Sequence, residues 1–321
     1  GGGDPCDTPA AMFNKEDLSE RAALVFAVAL AVGVMLWQVL PTVVPGLTGD
    51  GDDATAGEPG SAPLSKKSDD APLPWNPNLV RGQLDNGLTY FVLPHQKPEK
   101  RAQLWLVVKA GSVHEDDDQR GLAHFVEHMA FNGTAKYEKQ AIINYLEKEL
   151  GMRFGPEINA ETGFDRTVYK LKVPTDTPDG IAKGLDFLHE WATAIAFDPK
   201  EVDAERGVVL EEWRAGRGAM MRMMEKLLPI ALKGSKYADR LPIGTPESIK
   251  GSPREALVRY YKDWYRPDLM GIIAIGDFDR DEILNKIWNY FNDLPVTENK
   301  RERVVYQVCL LYTSDAADDL A

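Results

Sequence analysis

The stretch RGLAHFVEHMAFNG, residues 120–133, decides how the rest of this sequence is interpreted. It holds His124 and His128 four residues apart, with Glu127 between them. Apolar residues flank this group on both sides and an Asn-Gly pair ends the run, which predicts a packed helix. Positions i and i+4 of a helix lie on one face, so both imidazoles can point at one ion.

Two histidines with this spacing are typical of a catalytic zinc site, which needs a third protein ligand and an open position for water. Zinc lowers the pKa of that water, and a nearby carboxylate such as Glu127 can take its proton. The order is that of the inverted H-x-x-E-H motif. The alternative is a short chance pattern whose polar groups only face solvent. The apolar flanks favour a buried cluster, which would be costly without a partner.

Composition narrows the class of protein. The chain has 321 residues, 44% hydrophobic and 27% charged, which fits one or two globular domains. A formal net charge of -13 argues against nucleic acid as a partner, since phosphate binding needs clustered cations. The two cysteines, Cys6 and Cys309, form no zinc-finger or disulfide pattern, so a metal site must use histidines and carboxylates.

An apolar run, AALVFAVALAVGVMLWQVL at residues 22–40, predicts a transmembrane anchor or a signal segment. As a helix it would be ~28 Å long, close to the thickness of the hydrocarbon core of a bilayer. No small-x-small cleavage site precedes Pro41, which favours an uncleaved anchor over a cleaved signal peptide. Lys15 and Arg21 precede the run, which orients the amino terminus to the cytoplasm and the body outside it.

The predicted domain organisation has five segments. A Pro-, Gly- and Asp-rich stretch cannot bury enough apolar surface to fold, so it is interpreted as a disordered linker. The final residues resemble translated adapter sequence, and those after Gln307 are interpreted as non-native. The segments are a cytoplasmic or non-native leader at 1–21, the membrane segment at 22–40, the linker at 41–78, a catalytic domain at 79–295, and the start of an interdomain linker with a tail at 296–321.

Local patterns predict an α+β fold, with a mainly antiparallel sheet and helices packed on one of its faces. Asp85-Asn86-Gly87 between two apolar runs is a hairpin signal, and the segments EINAE and DRTVYKLKVP are typical of paired strands. Asp198-Pro199 begins a helix with a cap and a proline in its first turn. Ser252-Pro253 has the same signature and predicts a further helix start.

Six motifs occur in order between about residues 75 and 295: DNGLTYFV, AGSVHE, GLAHFVEHMAFNGT, INAETGFDRTVY, ERGVVLEEW and YRPDLMGIIAIGDF. With them the chain resembles the pitrilysin/insulinase family of zinc metallopeptidases, which includes the mitochondrial processing peptidases, and especially its long bacterial periplasmic members. The resemblance implies a mitochondrial-processing-peptidase-like domain with one Zn2+. It also implies His124 and His128 as zinc ligands and Glu127 as the general base.

The family's third zinc ligand is a glutamate on a later helix, and two residues qualify. The usual spacing favours Glu205, whereas the local pattern of two glutamates seven residues apart, of which the second binds metal, favours Glu212. Seven residues bring both to one helix face. We predict that Glu212 is the ligand and that Glu205 supports the catalytic site beside it. Glu211, on another face, is expected to face solvent.

The resemblance also implies a substrate-binding edge strand at Asn159 and Ala160, where an extended peptide would add as a further strand. An ordinary strand end is the alternative. His114, in an acidic loop, is expected at the surface. The methionines of the run at 220–224 are expected to pack inside the protein.

Two functions compete at this point. The first is a zinc endopeptidase or oligopeptidase that hydrolyses extended peptides in the bacterial periplasm or at the cell exterior. The alternative is a non-catalytic family member that serves as a scaffold or peptide-binding subunit. Family enzymes enclose the peptide between two related halves, so we expect a missing carboxy-terminal half or a second subunit as partner. This chain alone is then expected to bind zinc but to cleave peptides weakly.

Overall fold

The computed structural model of the chain describes residues 75–306. Its centre is a six-stranded sheet with the strand order β1-β2-β6-β3-β5-β4. The strands are β1 Val80–Gln83, β2 Thr89–Pro94, β3 Arg101–Val108, β4 Ile158–Thr162, β5 Thr167–Pro174 and β6 Met270–Gly276. Only β2 and β6 run parallel, and the other neighbours are antiparallel, which confirms the predicted fold class.

Eight α-helices accompany this sheet within residues 75–306. They are α1 Leu122–Phe131, α2 Lys139–Asn144, α3 Gly180–Thr193, α4 Pro199–Ala215, α5 Ala219–Ala231, α6 Pro246–Gly251, α7 Arg254–Trp264 and α8 Arg280–Phe291. Strand β3 shows why helices cover one face: Leu104 and Leu106 are buried, whereas the alternating Gln103 and Trp105 are half-exposed. Helices α1, α3 and α8 pack against the sheet.

Two local signals form the predicted structures. The Asn86 side chain accepts a hydrogen bond from the Leu88 amide, 3.1 Å away, within the turn that joins β1 and β2. The Asp198 carboxylate accepts one from the Lys200 amide at 2.8 Å and caps α4. Asn86 also donates to the carbonyl of Phe291, 2.6 Å away at the end of α8. The hairpin turn is therefore also a tertiary contact.

The helix start predicted at Ser252-Pro253 is present, since α7 begins at Arg254. Ser252 itself ends α6, and its hydroxyl bonds to Ser248 and to the Asp118 carbonyl. Two other local predictions are wrong. Met220 and Met223 are 60% and 51% exposed instead of packed, because α5 turns only its opposite side toward the domain.

The second wrong prediction concerns His114, which is buried and not at the surface. Its loop folds inward against α7, so that the imidazole contacts the Trp264 ring edge-on, with 5.0 Å between ring centroids. Its Nδ1 accepts a hydrogen bond from the Gly111 amide at 3.2 Å. Asp117 and Asp118, which follow in the same loop, are exposed, and such an acidic run predicts a solvent-facing loop.

The predicted membrane segment at 22–40 lies outside the described residues. Between residues 75 and 306, no helix combines the length and the apolar character that crossing a bilayer requires.

Candidate metal centre

Helix α1 is a core helix, since nine of its ten residues are buried. Leu122, Phe125 and Met129 are fully enclosed by the surrounding elements. The same burial encloses the polar side chains of His124, Glu127 and His128. Because buried polar groups are costly without partners, the neighbouring elements must supply hydrogen-bonding or charged partners for these three side chains.

The principal partner is α4, which packs against α1. Its buried Glu212 carboxylate faces both imidazoles: Oε2 lies 3.3 Å from His128 Nε2, and Oε1 lies 3.7 Å from His124 Nε2. The two Nε2 atoms are 3.3 Å apart. The structure thus brings together the three residues that the sequence predicted as metal ligands, as a group of the size that a metal ion needs.

Two observations test whether a zinc ion fits this group. Tetrahedral ligand atoms at zinc–ligand distances of about 2.0–2.1 Å lie about 3.3–3.4 Å from one another, close to the observed spacings. Both Glu212 oxygens and the Nδ1 atom of His124 are buried without a hydrogen-bond partner. A buried carboxylate without donors requires a cation. The residues therefore fit a divalent metal.

Glu205 is on the same face of α4 as Glu212 and contacts the side of the His128 ring that faces away from the donor group. Its Oε1 is 2.8 Å from His128 Nδ1, which leaves Nε2 of that ring free for the metal. Burial opposes charge on His128, but the carboxylates of Glu205 and Glu212 outweigh it and raise the His128 pKa well above its ordinary value. The exposed Glu211 lies outside the cluster, as predicted.

Glu127 is held by a residue that sequence reasoning missed. The Thr162 hydroxyl donates to Glu127 Oε2 over 2.5 Å, and both groups are buried. Burial raises the Glu127 pKa to about 7, although His128 and the Thr162 hydrogen bond oppose the shift. Burial also lowers the pKa of His124 to about 4, against the effect of Glu212. A neutral imidazole is the form that binds metal.

Strand β4 brings Thr162 to this site. Along it Ile158, Ala160 and Thr162 are buried, whereas Asn159 and Glu161 on the other face are half-buried. Strict alternation in INAET was therefore the signal that could have found Thr162. Within the described residues, β4 is an edge strand that pairs with β5. Its one further pairing there is an isolated bridge between Ile158 and Phe154. Its outer edge carries the predicted peptide-binding position.

Comparison with known proteins extends this picture. Residues 90–241 match the family model for insulinase (peptidase family M16), and residues 253–315 match that for the peptidase M16 inactive domain. The probable zinc proteases PqqL of Haemophilus influenzae and Escherichia coli are 44% and 39% identical over 240 and 234 residues, 74% and 73% of this chain. The crystal structure of the first half of the periplasmic protease PqqL from Escherichia coli superposes with a TM-score of 0.69. That pair shares 39% identity over 72% of this chain and 49% of the other.

The mixed fold and the His-His-Glu group have the arrangement of a metallopeptidase domain of the inverted H-x-x-E-H class. With these matches, the chain belongs to the insulinase family of peptidases, family M16. It spans about a quarter of the length of the curated relatives that it matches.

Proposed function

We propose that this chain is the metal-binding part of a zinc-dependent peptidase that hydrolyses extended peptides. The observation that carries the proposal is the buried group of His124, His128 and Glu212, whose donor atoms lie 3.3, 3.3 and 3.7 Å apart. The Glu127 carboxylate lies on α1, the helix that carries the two histidines. Relatives named zinc proteases support the choice of metal and of reaction.

The roles of the side chains follow from their positions. His124, His128 and Glu212 would hold the ion, and Glu205 would fix the tautomer and orientation of His128. Bound zinc supplies a positive charge that lowers the pKa of a coordinated water. The Glu127 carboxylate would accept the proton of the attacking water and return it to the leaving amine. Burial favours the protonated form of Glu127, which helps this side chain to hold the proton between the two transfers.

The substrate would bind as an extended chain along the outer edge of β4, at Asn159 and Ala160. Main-chain hydrogen bonds would then supply affinity without strict dependence on substrate sequence. The proximity of β4 to α1 supports this proposal, since a peptide on that edge would run beside the helix that carries His124 and Glu127.

The cellular setting is part of the same proposal. Because this chain matches only about a quarter of the length of the relatives, we propose that full turnover needs a carboxy-terminal half or a second subunit. We also propose a periplasmic location with a membrane anchor at residues 22–40. The description of the related PqqL as a periplasmic protease supports the location.

Metal affinity tests the ligand assignment. We expect Glu212→Gln to weaken zinc binding by more than the roughly 10–100-fold loss typical of residues behind the ligands, which is the loss expected for Glu205→Gln. Glu211→Gln is the matched control on the same helix and should bind zinc like the parent. Competition with a chromophoric chelator measures all three. A larger loss in Glu205→Gln would transfer the ligand role to that residue, and a parent chain without zinc would overturn the proposal.

Turnover tests the role of Glu127. In the complete protein, Glu127→Gln should keep one zinc per catalytic domain and lose peptide hydrolysis, because an amide cannot accept the proton of water. Removal of zinc with a chelator should abolish activity, and zinc addition should restore it. Activity that persists in Glu127→Gln would remove this residue from the general-base role.

A further inference from the structure

The amino terminus of α1 is capped by a residue from outside the helix. The N-cap position is Gly121, which has no side chain to accept the first amides. The Glu115 carboxylate provides the cap instead, since it accepts from the Gly121 amide at 3.0 Å and from the Ala123 amide at 2.8 Å. Glu115 is itself fully buried.

The close packing around Gly121 explains why the cap comes from a distance. Its φ of 88° is a conformation that favours glycine, and a Cβ there would lie 2.7 Å from the Gly244 Cα. A capping Ser, Asp or Asn therefore cannot occupy the N-cap position. Six residues earlier in the chain, the carboxylate of Glu115 reaches the same amides without that conflict.

The loop that carries Glu115 is fixed to the sheet. The Ser112 and Val113 amides donate to the carbonyls of Gly163 and Phe164, each at 3.0 Å, in the turn between β4 and β5. On the other side, the Arg301 guanidinium pairs with Asp116, the next residue after Glu115. Glu115 therefore connects α1 to the end of the strand that carries Thr162.

This connection bears on the metal donors because His124 directly follows Ala123. A shift of the first turn of α1 would move the His124 imidazole relative to Glu212, which is on a different helix. It would also move Glu127 relative to Thr162, which is on β4. At the other end of α1, the Asn132 side chain donates to the His128 carbonyl at 3.0 Å, a contact within the helix itself. Glu115 instead holds the first turn from a separate loop.

We propose that Glu115 is a positioning residue for the metal centre, which sets the place of α1 relative to α4 and β4 and thereby the geometry of the His-His-Glu group. The inference rests on the proposed function insofar as His124, His128 and Glu212 bind metal. Glu115 does not touch the ion or a substrate, so its effect should appear in metal affinity and ligand geometry.

Cobalt(II) binding to the full chain provides the test, since the visible absorption of Co2+ reports ligand geometry. Glu115→Ala should bind Co2+ about 10-fold more weakly than the parent, or worse, with a changed visible spectrum. Glu115→Gln should recover part of the affinity, because one amide oxygen can still accept from Gly121 and Ala123.

A matched control separates positioning from general stability. Asp279 caps α8 by accepting from the amides of Asp281 and Glu282, each at 2.9 Å, on a helix that carries no metal donor. Asp279→Ala should lose stability as the removal of a helix cap does, yet bind Co2+ with parental affinity and spectrum. An equal loss of Co2+ affinity in Asp279→Ala would overturn the inference, because stability alone would then explain the effect.

The remaining outcomes distinguish the two proposals. Parental affinity and spectrum in folded Glu115→Ala would overturn the positioning role and leave the proposed function intact. If Glu115→Ala does not fold, Glu115→Leu decides, because leucine has a similar size but accepts no hydrogen bond. Co2+ affinity and spectrum equal to the parent's in Glu115→Leu would overturn the role. Co2+ binding that survives His124→Ala and His128→Ala would overturn the proposed function instead.

Discussion

A single hydroxyl holds the carboxylate of Glu127. The Thr162 hydrogen bond is short and buried, and a bond to a charged group of this kind contributes about 1.5–3 kcal/mol. We predict that Thr162→Val lowers kcat in the complete protein about tenfold or more, with little change in KM or zinc content. Thr162→Ser keeps the hydroxyl and should retain most of kcat. Equal kcat values for the Val and Ser variants would contradict this role.

A second prediction at the scale of one residue concerns pH. Burial, reinforced by the Arg303 cation, lowers the pKa of His114 from 6.5 to about 4. Between these values the unfolded chain binds a proton that the folded protein excludes, so acid favours unfolding. The free energy of unfolding should fall by up to about 3 kcal/mol as pH drops through this range.

The variant His114→Asn isolates this contribution. Its side-chain oxygen can still accept from the Gly111 amide but does not titrate in this range. We expect a shallower loss of stability between pH 6.5 and pH 4 than in the parent, measured by denaturant unfolding. A slope equal to that of the parent would show that another group carries the acid sensitivity.

These residues also show what the sequence can and cannot reveal. Asp198 and Asn86 were predictable because their partners lie within two residues of them in the chain. Glu115 was not, because it stands beside three aspartates and only burial distinguishes it from them. The prediction that His114 lies at the surface was wrong for the same reason, since its burial is not visible in the local sequence. Motif spacing pointed to the two histidines, and the family's pair of glutamates seven residues apart pointed to Glu212. Thr162 required knowledge of which face of β4 turns inward.

At the scale of elements, two glycines with open surroundings differ only in backbone conformation. Gly207 lies within α4, and Gly151 follows α2 with a φ of +63°; neither has an atom within 4 Å of a built Cβ. We predict that Gly207→Ala stabilises the protein by about 0.5–1 kcal/mol through helix propensity. Gly151→Ala should destabilise it by about 1 kcal/mol, because Ala disfavours the left-handed region.

Thermal or denaturant unfolding of both variants measures this difference. Since α4 carries Glu205 and Glu212, zinc affinity should be measured alongside and should stay parental in Gly207→Ala. A destabilised Gly207→Ala protein would mean that α4 depends on backbone freedom at this position.

At the scale of the whole molecule, the sheet joins parts of the chain that local patterns do not connect. Strand β6 lies in the motif YRPDLMGIIAIGDF, but its place between β2 and β3, parallel to one and antiparallel to the other, was not predicted. Strand order depends on contacts between distant residues, to which local periodicity is insensitive. The metal site was more predictable than the strand order because motifs mark its residues directly.

This topology predicts which truncations fold. Ending the chain after Leu269 removes β6 and α8 and separates β1-β2 from β3-β5-β4. The strand partners of Ile272, Tyr90 on β2 and Leu106 on β3, would lose this neighbour. We expect that such a chain shows no cooperative unfolding and binds no zinc, although every proposed ligand is present. A matched chain that ends after Tyr306 keeps the whole described sheet and should do both. Cooperative unfolding of the shorter chain would show that β6 is dispensable.

The central position of β6 also has a consequence during translation. The ribosome releases the two histidines and Glu212 well before residues 270–276, so the nascent chain exposes the ligands before the sheet that orders them can close. Until β6 emerges, β2 and β3 each present an unpaired edge. Such an edge can pair with another chain and aggregate, or be bound by a chaperone. Metal loading is therefore expected to follow release of β6 from the exit tunnel, as a late event in the biogenesis of the protein.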